Sequence, residues 1–414
     1  MEHSKDQPTD VIVVGAGAAG LYAAIHAGRA GAKTLALDGA RRLGAKILVA
    51  GGGRCNVTHH AVDEKAYAGA SPNAIRKVLR RHGVAETVAF FEEQGVELKR
   101  EETGKLFPTT DRSRTVLDAL LAAAARAGVE IRFPRRVERI ERRGDDGFVV
   151  SGEWGSAFGR RIVIATGGMA LPQSGSDGTG YDFARQFGHT TTEHIKPALV
   201  PLILPGGHPL RDLSGIAVPA SLTVHGGTGR KLKTFTNSLL FTHFGLSGPC
   251  ALDISRHWRA SLIADRGTSL VMNLLPEFNE QSLDAALLAD AGATVLTHLR
   301  EHLPERLVRA LGEAAELDTT ARVANLSRDR RRALVRLCTA WQLPIEGDRG
   351  FGHAEVTMGG VPLKEIRLET MESRLCPGLH LIGEVLDVDG RIGGFNFQWA
   401  WASGYVAGRA LGVD

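Results

Sequence analysis

Gly15, Gly17, Gly20 and Asp38 are the residues of this chain whose types and spacing most directly imply chemistry. The three glycines form a G-x-G-x-x-G pattern, Gly15-Ala16-Gly17-Ala18-Ala19-Gly20, directly after the apolar run Val11-Ile12-Val13-Val14. They open an alanine-rich stretch, Leu21 to Ala30, which Gly31 closes. An unbroken apolar run reads as a buried parallel strand. Gly15 permits a tight turn, Gly17 lets a pyrophosphate approach the backbone, and Gly20 lets the helix pack on the strand. Ala18 and Ala19 begin that helix, whose free N–H groups and positive dipole end suit phosphates. A second apolar run, Thr34-Leu35-Ala36-Leu37, ends in Asp38, 18 residues beyond Gly20. That is close to the ~20 expected of a carboxylate that holds a ribose hydroxyl. Strand, turn, helix, strand and acid in this order predict a dinucleotide site, for NAD or for FAD.

Only one such fingerprint follows a strand, whereas separate Rossmann domains for FAD and NAD(P) would show two. Three further segments point to FAD. In Gly51-Gly52-Gly53-Arg54-Cys55-Asn56 three glycines offer backbone that lies against a flat ring without a Cβ clash. Arg54 adds a fixed cation and Asn56 both donor and acceptor groups. Cys55 reads as a small packed residue, since no basic partner would activate it. The turn Ile164-Ala165-Thr166-Gly167-Gly168 follows short β runs from Val137 onward. A β-meander leading into an A-T-G turn resembles the glutathione-reductase-like class of FAD domains. Near the C-terminus, Gly383-Glu384 resembles the ribityl-binding Gly-acid element of that class. Gly393-Gly394-Phe395-Asn396 then opens a last helix, Asn396 to Leu411, whose N-terminus would aim N–H groups at the flavin pyrimidine edge.

The elements that must position these residues suggest one nucleotide-binding domain interrupted by a large insertion. Residues 1–194 read as the N-terminal part of an α/β Rossmann-like FAD-binding domain with a β-meander, and 351–414 as its C-terminal part. Between them, 195–350 reads as an inserted substrate or cap domain, with a β-barrel-like part over about 195–278 and a helical part over about 279–350. The arginine-rich run Ser327 to Arg332 reads as a solvated helix face. The chain has 414 residues, 50 basic and 46 acidic. This near balance does not call for nucleic acid, and no nucleic-acid partner is expected. No apolar run reaches the ~18 residues of a membrane span. The four cysteines are scattered without C-x-x-C spacing, so no metal site is expected and a cytoplasmic setting is.

Residues 44–58 (GAKILVAGGGRCNVT), 240–249 (LFTHFGLSGP), 354–360 (AEVTMGG) and 383–404 (GEVLDVDGRIGGFNFQWAWASG) resemble the BaiN/YhiN-type flavoproteins. These are also catalogued as aminoacetone-oxidase-family FAD-binding enzymes. The resemblance spans nearly the whole chain and is weakest over 61–100 and the helical stretch. Ala45, Ala50 and His59 depart from residues usual in the family. The resemblance implies non-covalent FAD, with Gly15, Gly17, Gly20 and Asp38 on the adenosine half and backbone at Val137 near adenine. It implies that Lys46, Gly52, Gly53, Arg54, Cys55, Asn56, Thr166 and Gly167 also contribute to the cofactor site. Gly383, Glu384, Gly394, Phe395 and Asn396 would meet the ribityl chain and ring.

The expected activity is an FAD oxidoreductase that takes hydride from NAD(P)H and reduces an electron-poor C=C, or a related acceptor, in a small molecule. A flavin-dependent amine oxidase using O₂ is one alternative. A redox-responsive or nucleic-acid-contacting flavin protein with little turnover is another. His243 and Arg54 are the candidate catalytic residues, with Arg54 the better suited to orient or stabilise charge. The sequence leaves the substrate, the choice of NADH or NADPH, and the oligomeric state open.

Overall fold

The computed structural model describes residues 9–412. Chain contacts divide it into two units. One runs to Lys196 and resumes at Val356; the other is Pro197–Glu355.

The first unit is built on a parallel sheet whose strands run in the order Leu379–Leu381, Gly155–Ile164, Thr9–Val14, Thr34–Leu37 and Glu130–Arg132. The apolar run Val11–Val14 lies centrally and fully buried, as a strand covered on both faces must. It is in register with Thr34–Leu37 on one side and Arg161–Ile164 on the other. Arg139–Arg143, Gly147–Gly152 and Gly155–Ile164 form the expected three-stranded antiparallel meander.

The fingerprint helix, Ala18–Arg29, lies against the C-terminal helix, Phe395–Ala410. Their backbones nearly touch. A Cβ on Gly404 would come 2.7 Å from Ala19 O, and one on Gly408 2.5 Å from Ala23 O. Around this crossing Tyr22, Trp401 and Phe91 are wholly buried. Tyr22 Oη bonds His82 Nε2 at 2.9 Å. His26 Nε2 and His82 Nδ1 are buried with no hydrogen-bond partner among the described residues.

Burial lowers His26 to about 3, His82 to about 4 and His380 to about 4. An unfolded histidine titrates near 6.5, so below that pH the unfolded chain binds protons that the folded chain refuses. Stability is therefore expected to fall as pH drops from about 6.5 towards 4. Three such groups set a slope of at most about 4 kcal/mol per pH unit. Denaturant midpoints measured across this range test the expectation, and a flat profile would refute it.

The second unit carries a seven-stranded antiparallel sheet with edge strands Trp341–Leu343 and Gly347–Asp348. The three residues between them can reach only about 14 Å. The two edges are therefore drawn together and the sheet curls on itself, giving the barrel-like form. Helices Glu280–Ala289, Val295–Leu299, Glu305–Ala314 and Arg328–Thr339 form the helical part. Their buried leucines share one apolar core with the sheet. Arg331 bonds Asp284 at 2.7 Å, while Arg328, Arg330 and Arg332 are exposed. Gly248–Ala264 is a helix within the stretch read from the sequence as β structure. Its Gly248-Pro249 start resembles a strand break, although proline fits the first turn of a helix.

Candidate functional site

Each glycine of the fingerprint is constrained differently. Gly15 has φ +100°, and a Cβ there would lie 2.5 Å from Ala165 O. A Cβ on Gly20 would lie 1.8 Å from Gly15 O. Gly17 meets nothing within 4 Å, so its open side is the cradle that a pyrophosphate can enter. Gly17 caps Ala18–Arg29 without any side-chain hydrogen bond, and no acid lies in the first turn. The helix therefore leaves its first N–H groups to a ligand.

Asp38 sits at the end of its strand beside this turn. Its carboxylate accepts from Ala16 N at 2.7 Å and Ala40 N at 2.8 Å. Burial raises its pKa, and the two N–H bonds oppose that shift. Arg135 N donates to Asp38 O at 2.6 Å, which brings the Val137 segment alongside the acid. Val137 itself is buried.

The glycine-rich segment leaves the Ala45–Gly53 helix through a kink at Ala50. Gly51, Gly52 and Gly53 then take φ of +58°, +68° and +85°, a left-handed run that favours glycine. A Cβ on Gly52 would meet open space, whereas one on Gly51 would lie 2.8 Å from Phe107 Cε1. The Arg54 guanidinium lies 4.0 Å from the Phe107 ring centroid and pairs with Glu101 at 2.6 Å. Asp111 is 3.6 Å from the same nitrogen. Cys55 is buried, and burial pushes its thiol up to about 12, so it is inert packing. Asn56 Oδ1 and Thr166 Oγ1 are buried without a partner among the described residues. Two orphaned polar atoms, both at positions expected to meet the cofactor, fit a bound polar group.

Glu384 is held from two sides. Lys46 Nζ donates to Oε2 at 2.8 Å. Thr357 donates to Oε1 through its N–H at 3.1 Å and its hydroxyl at 2.9 Å. The Thr357 oxygen accepts in turn from Met169 N at 2.8 Å and Ala170 N at 3.1 Å. Both its lone pairs are then in use, so its proton must point to Glu384. Gly168 makes the room, since a Cβ there would lie 2.5 Å from Thr357 Oγ1. A Cβ on Gly167 would lie 4.0 Å from Lys46 Nζ. Thr357 is a site residue that sequence reasoning missed. Its only signal was its place in residues 354–360.

Gly383 has φ +71° and abuts Ala19; its N–H donates to Ser403 Oγ at 3.0 Å. Gly394, at φ +93°, caps Phe395–Ala410 without a side-chain bond. A Cβ there would lie 2.5 Å from the carbonyl carbon of Thr58, so this turn presses on the strand that follows Asn56. A valine at Gly394 would thus move backbone as well as alter any bound ring. Tyr67 Oη bonds Phe395 O at 2.8 Å, and the His59 ring stacks on Phe395. The Asn396 side chain is spent locally, accepting from Gly390 N at 2.8 Å and donating to Gly390 O at 3.0 Å.

The first unit thus brings together Gly15 with Thr166, Asp38 with Val137, Lys46 with Glu384, and Gly394 with the Asn56 strand. These residues fit FAD. The fingerprint and Asp38 would hold the adenosine diphosphate, and the two uncapped helix N-termini and the orphaned atoms would face its phosphates and ring. His243 belongs to the second unit. It lies exposed in the tight turn between strands Lys231–Thr242 and Gly245–Ser247, its ring against Phe244.

A family model described as the HI0933-like protein Rossmann domain matches residues 9–410. "Ribosomal RNA dihydrouridine synthase" of Escherichia coli (strain K12) is 36% identical over 406 residues, covering 97% of this chain and 98% of that protein. "3-dehydro-bile acid delta(4,6)-reductase" of Clostridium scindens is 35% identical over 404 residues, covering 96% and 98%. In fold, the chain is similar to 3-ketosteroid delta1-dehydrogenase from Sterolibacterium denitrificans, with a TM-score of 0.53 at 13% identity over 98% of this chain and 100% of that one. Matched across its described length by the family model, and end to end by curated relatives, the chain belongs to the HI0933-like family of BaiN/YhiN-type flavoproteins.

Proposed function

We propose that this flavoprotein reduces a C=C bond conjugated to a carbonyl, with NAD(P)H as electron donor, in the cytoplasm. The observation that carries this reading is the pairing of an FAD-fitting first unit with two end-to-end relatives whose names describe one kind of reaction. Making dihydrouridine saturates a ring C=C conjugated to a carbonyl. A delta(4,6)-reductase acting on a 3-dehydro steroid saturates conjugated C=C bonds. FAD, when bound, supplies the hydride chemistry that both need.

The chain's own residues bind and orient. Asp38 holds the ribose, Gly17 admits the pyrophosphate, and Lys46 with Thr357 fixes Glu384. Arg54, held by Glu101 over Phe107, presents a permanent cation towards a developing oxyanion.

Anaerobic mixing of the yellow holoprotein with NADH or NADPH tests the donor by bleaching of the flavin band. A panel of cyclic enones and of uridine-containing RNA then tests the acceptor by reoxidation. Peroxide release with amines and no bleaching by either nicotinamide would replace this reading with an amine oxidase.

A further inference from the structure

The second unit carries a basic groove at the tip of its longest hairpin. Strands Ala217–His225 and Lys231–Thr242 pair antiparallel, with an irregularity at Val224/His225 just before the turn. The turn Gly226-Gly227-Thr228-Gly229-Arg230 is closed by Gly226 N to Arg230 O at 2.9 Å and Gly229 N to Gly226 O at 2.8 Å. The tip and the end of helix Gly248–Ala264 enclose a groove of about 410 Å³ lined by Arg230, Lys233, Leu232, His257 and Asp265 among others.

Cations gather at this place. Arg230, Lys231 and Arg266 are exposed and Lys233 is half-buried. None of the four has an ion-pair partner among the described residues. The one carboxylate lining the groove, Asp265, is committed to backbone, accepting from Gly227 N at 2.7 Å and Gly267 N at 2.8 Å. Elsewhere in this unit Arg331 and Arg309 are matched to Asp284 and Glu305, while the exposed Arg328, Arg330 and Arg332 lie along one helix and line no part of this groove. Leu232 is 48% exposed within the same tip and gives it an apolar surface between the cations. Residues 230–233 cover about 10 Å of chain, long enough for successive phosphates rather than one ion. The near-neutral balance of the whole chain conceals this local excess.

We infer that the hairpin tip is a docking surface for the phosphate backbone of RNA, with Arg230, Lys231, Lys233 and Arg266 as the phosphate contacts. This deepens the proposed function by placing the surface on which an RNA acceptor would dock, and rests on it. Cations matched to phosphates release counterions, so affinity should fall steeply with salt.

The test is fluorescence anisotropy of the FAD-loaded full chain with a labelled single-stranded oligouridine RNA over a salt series. The wild type should bind. The R230A/K231A/K233A variant should bind at least about tenfold more weakly, with a log–log salt slope shallower by about 2. Its flavin content, melting temperature and enone turnover should match the wild type. Unchanged RNA affinity in this variant overturns the inference. So does loss of binding only in R328A/R330A/R332A, or wild-type binding to anionic lipid vesicles but not to RNA. Enone turnover without RNA binding strikes this inference and leaves C=C reduction standing. RNA binding through the tip without turnover of any acceptor does the reverse.

Discussion

Gly17→Val is expected to purify folded and colourless. Gly17 has φ −78° and ψ −166°, extended backbone that valine adopts readily. The protein places nothing within 4 Å of its Cβ position, so the apo fold has no quarrel with a side chain there. The methyls would instead occupy the space through which a pyrophosphate reaches the backbone. Overpacking of that kind costs about 3 kcal/mol, roughly a hundredfold in affinity. Gly20→Val is the contrast, because its Cβ would collide with Gly15 O inside the protein itself. Far-ultraviolet circular dichroism and melting report the fold, and the ratio of visible to protein absorbance reports FAD. A yellow Gly17→Val protein with full FAD content would show that the cradle lies elsewhere.

Gly408→Leu is expected to destabilise the first unit by about 3 kcal/mol or more. Glycine inside a helix normally costs about 0.5–1 kcal/mol relative to alanine, so filling an exposed helical glycine stabilises. Here the sign reverses. The Cβ of residue 408 would sit 2.5 Å from Ala23 O, which is backbone and cannot rotate away. The two helices would have to separate, opening the packing around Tyr22 and Trp401. Guanidinium unfolding measures this directly, and a midpoint at or above wild type would refute the close crossing.

The fingerprint, Asp38 and the meander were legible because each depends on residues near in sequence. A turn that needs positive φ, or a strand buried on both faces, leaves its mark within a dozen positions. Thr357 left no mark beyond its place in residues 354–360, since its role depends on Met169, Ala170 and Glu384 meeting it from far along the chain. Gly404 and Gly408 read as ordinary helical residues until Ala19 and Ala23 are set opposite them. The helix at Gly248 was masked by its own start, where glycine and proline imitate a break. The basic hairpin tip was hidden for a different reason: net charge averages over the chain, whereas a groove responds to the four cations beside it. The start of the last helix was legible at Gly394, but nothing near Asn396 in sequence showed that its amide would serve Gly390.

The crossing of the first and last helices also sets the order in which the molecule can be made. The strand Thr9–Val14 and the helix Ala18–Arg29 leave the ribosome long before their partners Leu379–Leu381 and Phe395–Ala410. At synthesis rates of about 5–20 residues per second, the nascent fingerprint waits some tens of seconds for them. Meanwhile Pro197–Glu355, with a core of its own, can close while its flanks are still incomplete. The cofactor cradle is thus a late product of translation. A chain that terminates early carries the whole G-x-G-x-x-G motif and yet lacks the helix that seats it.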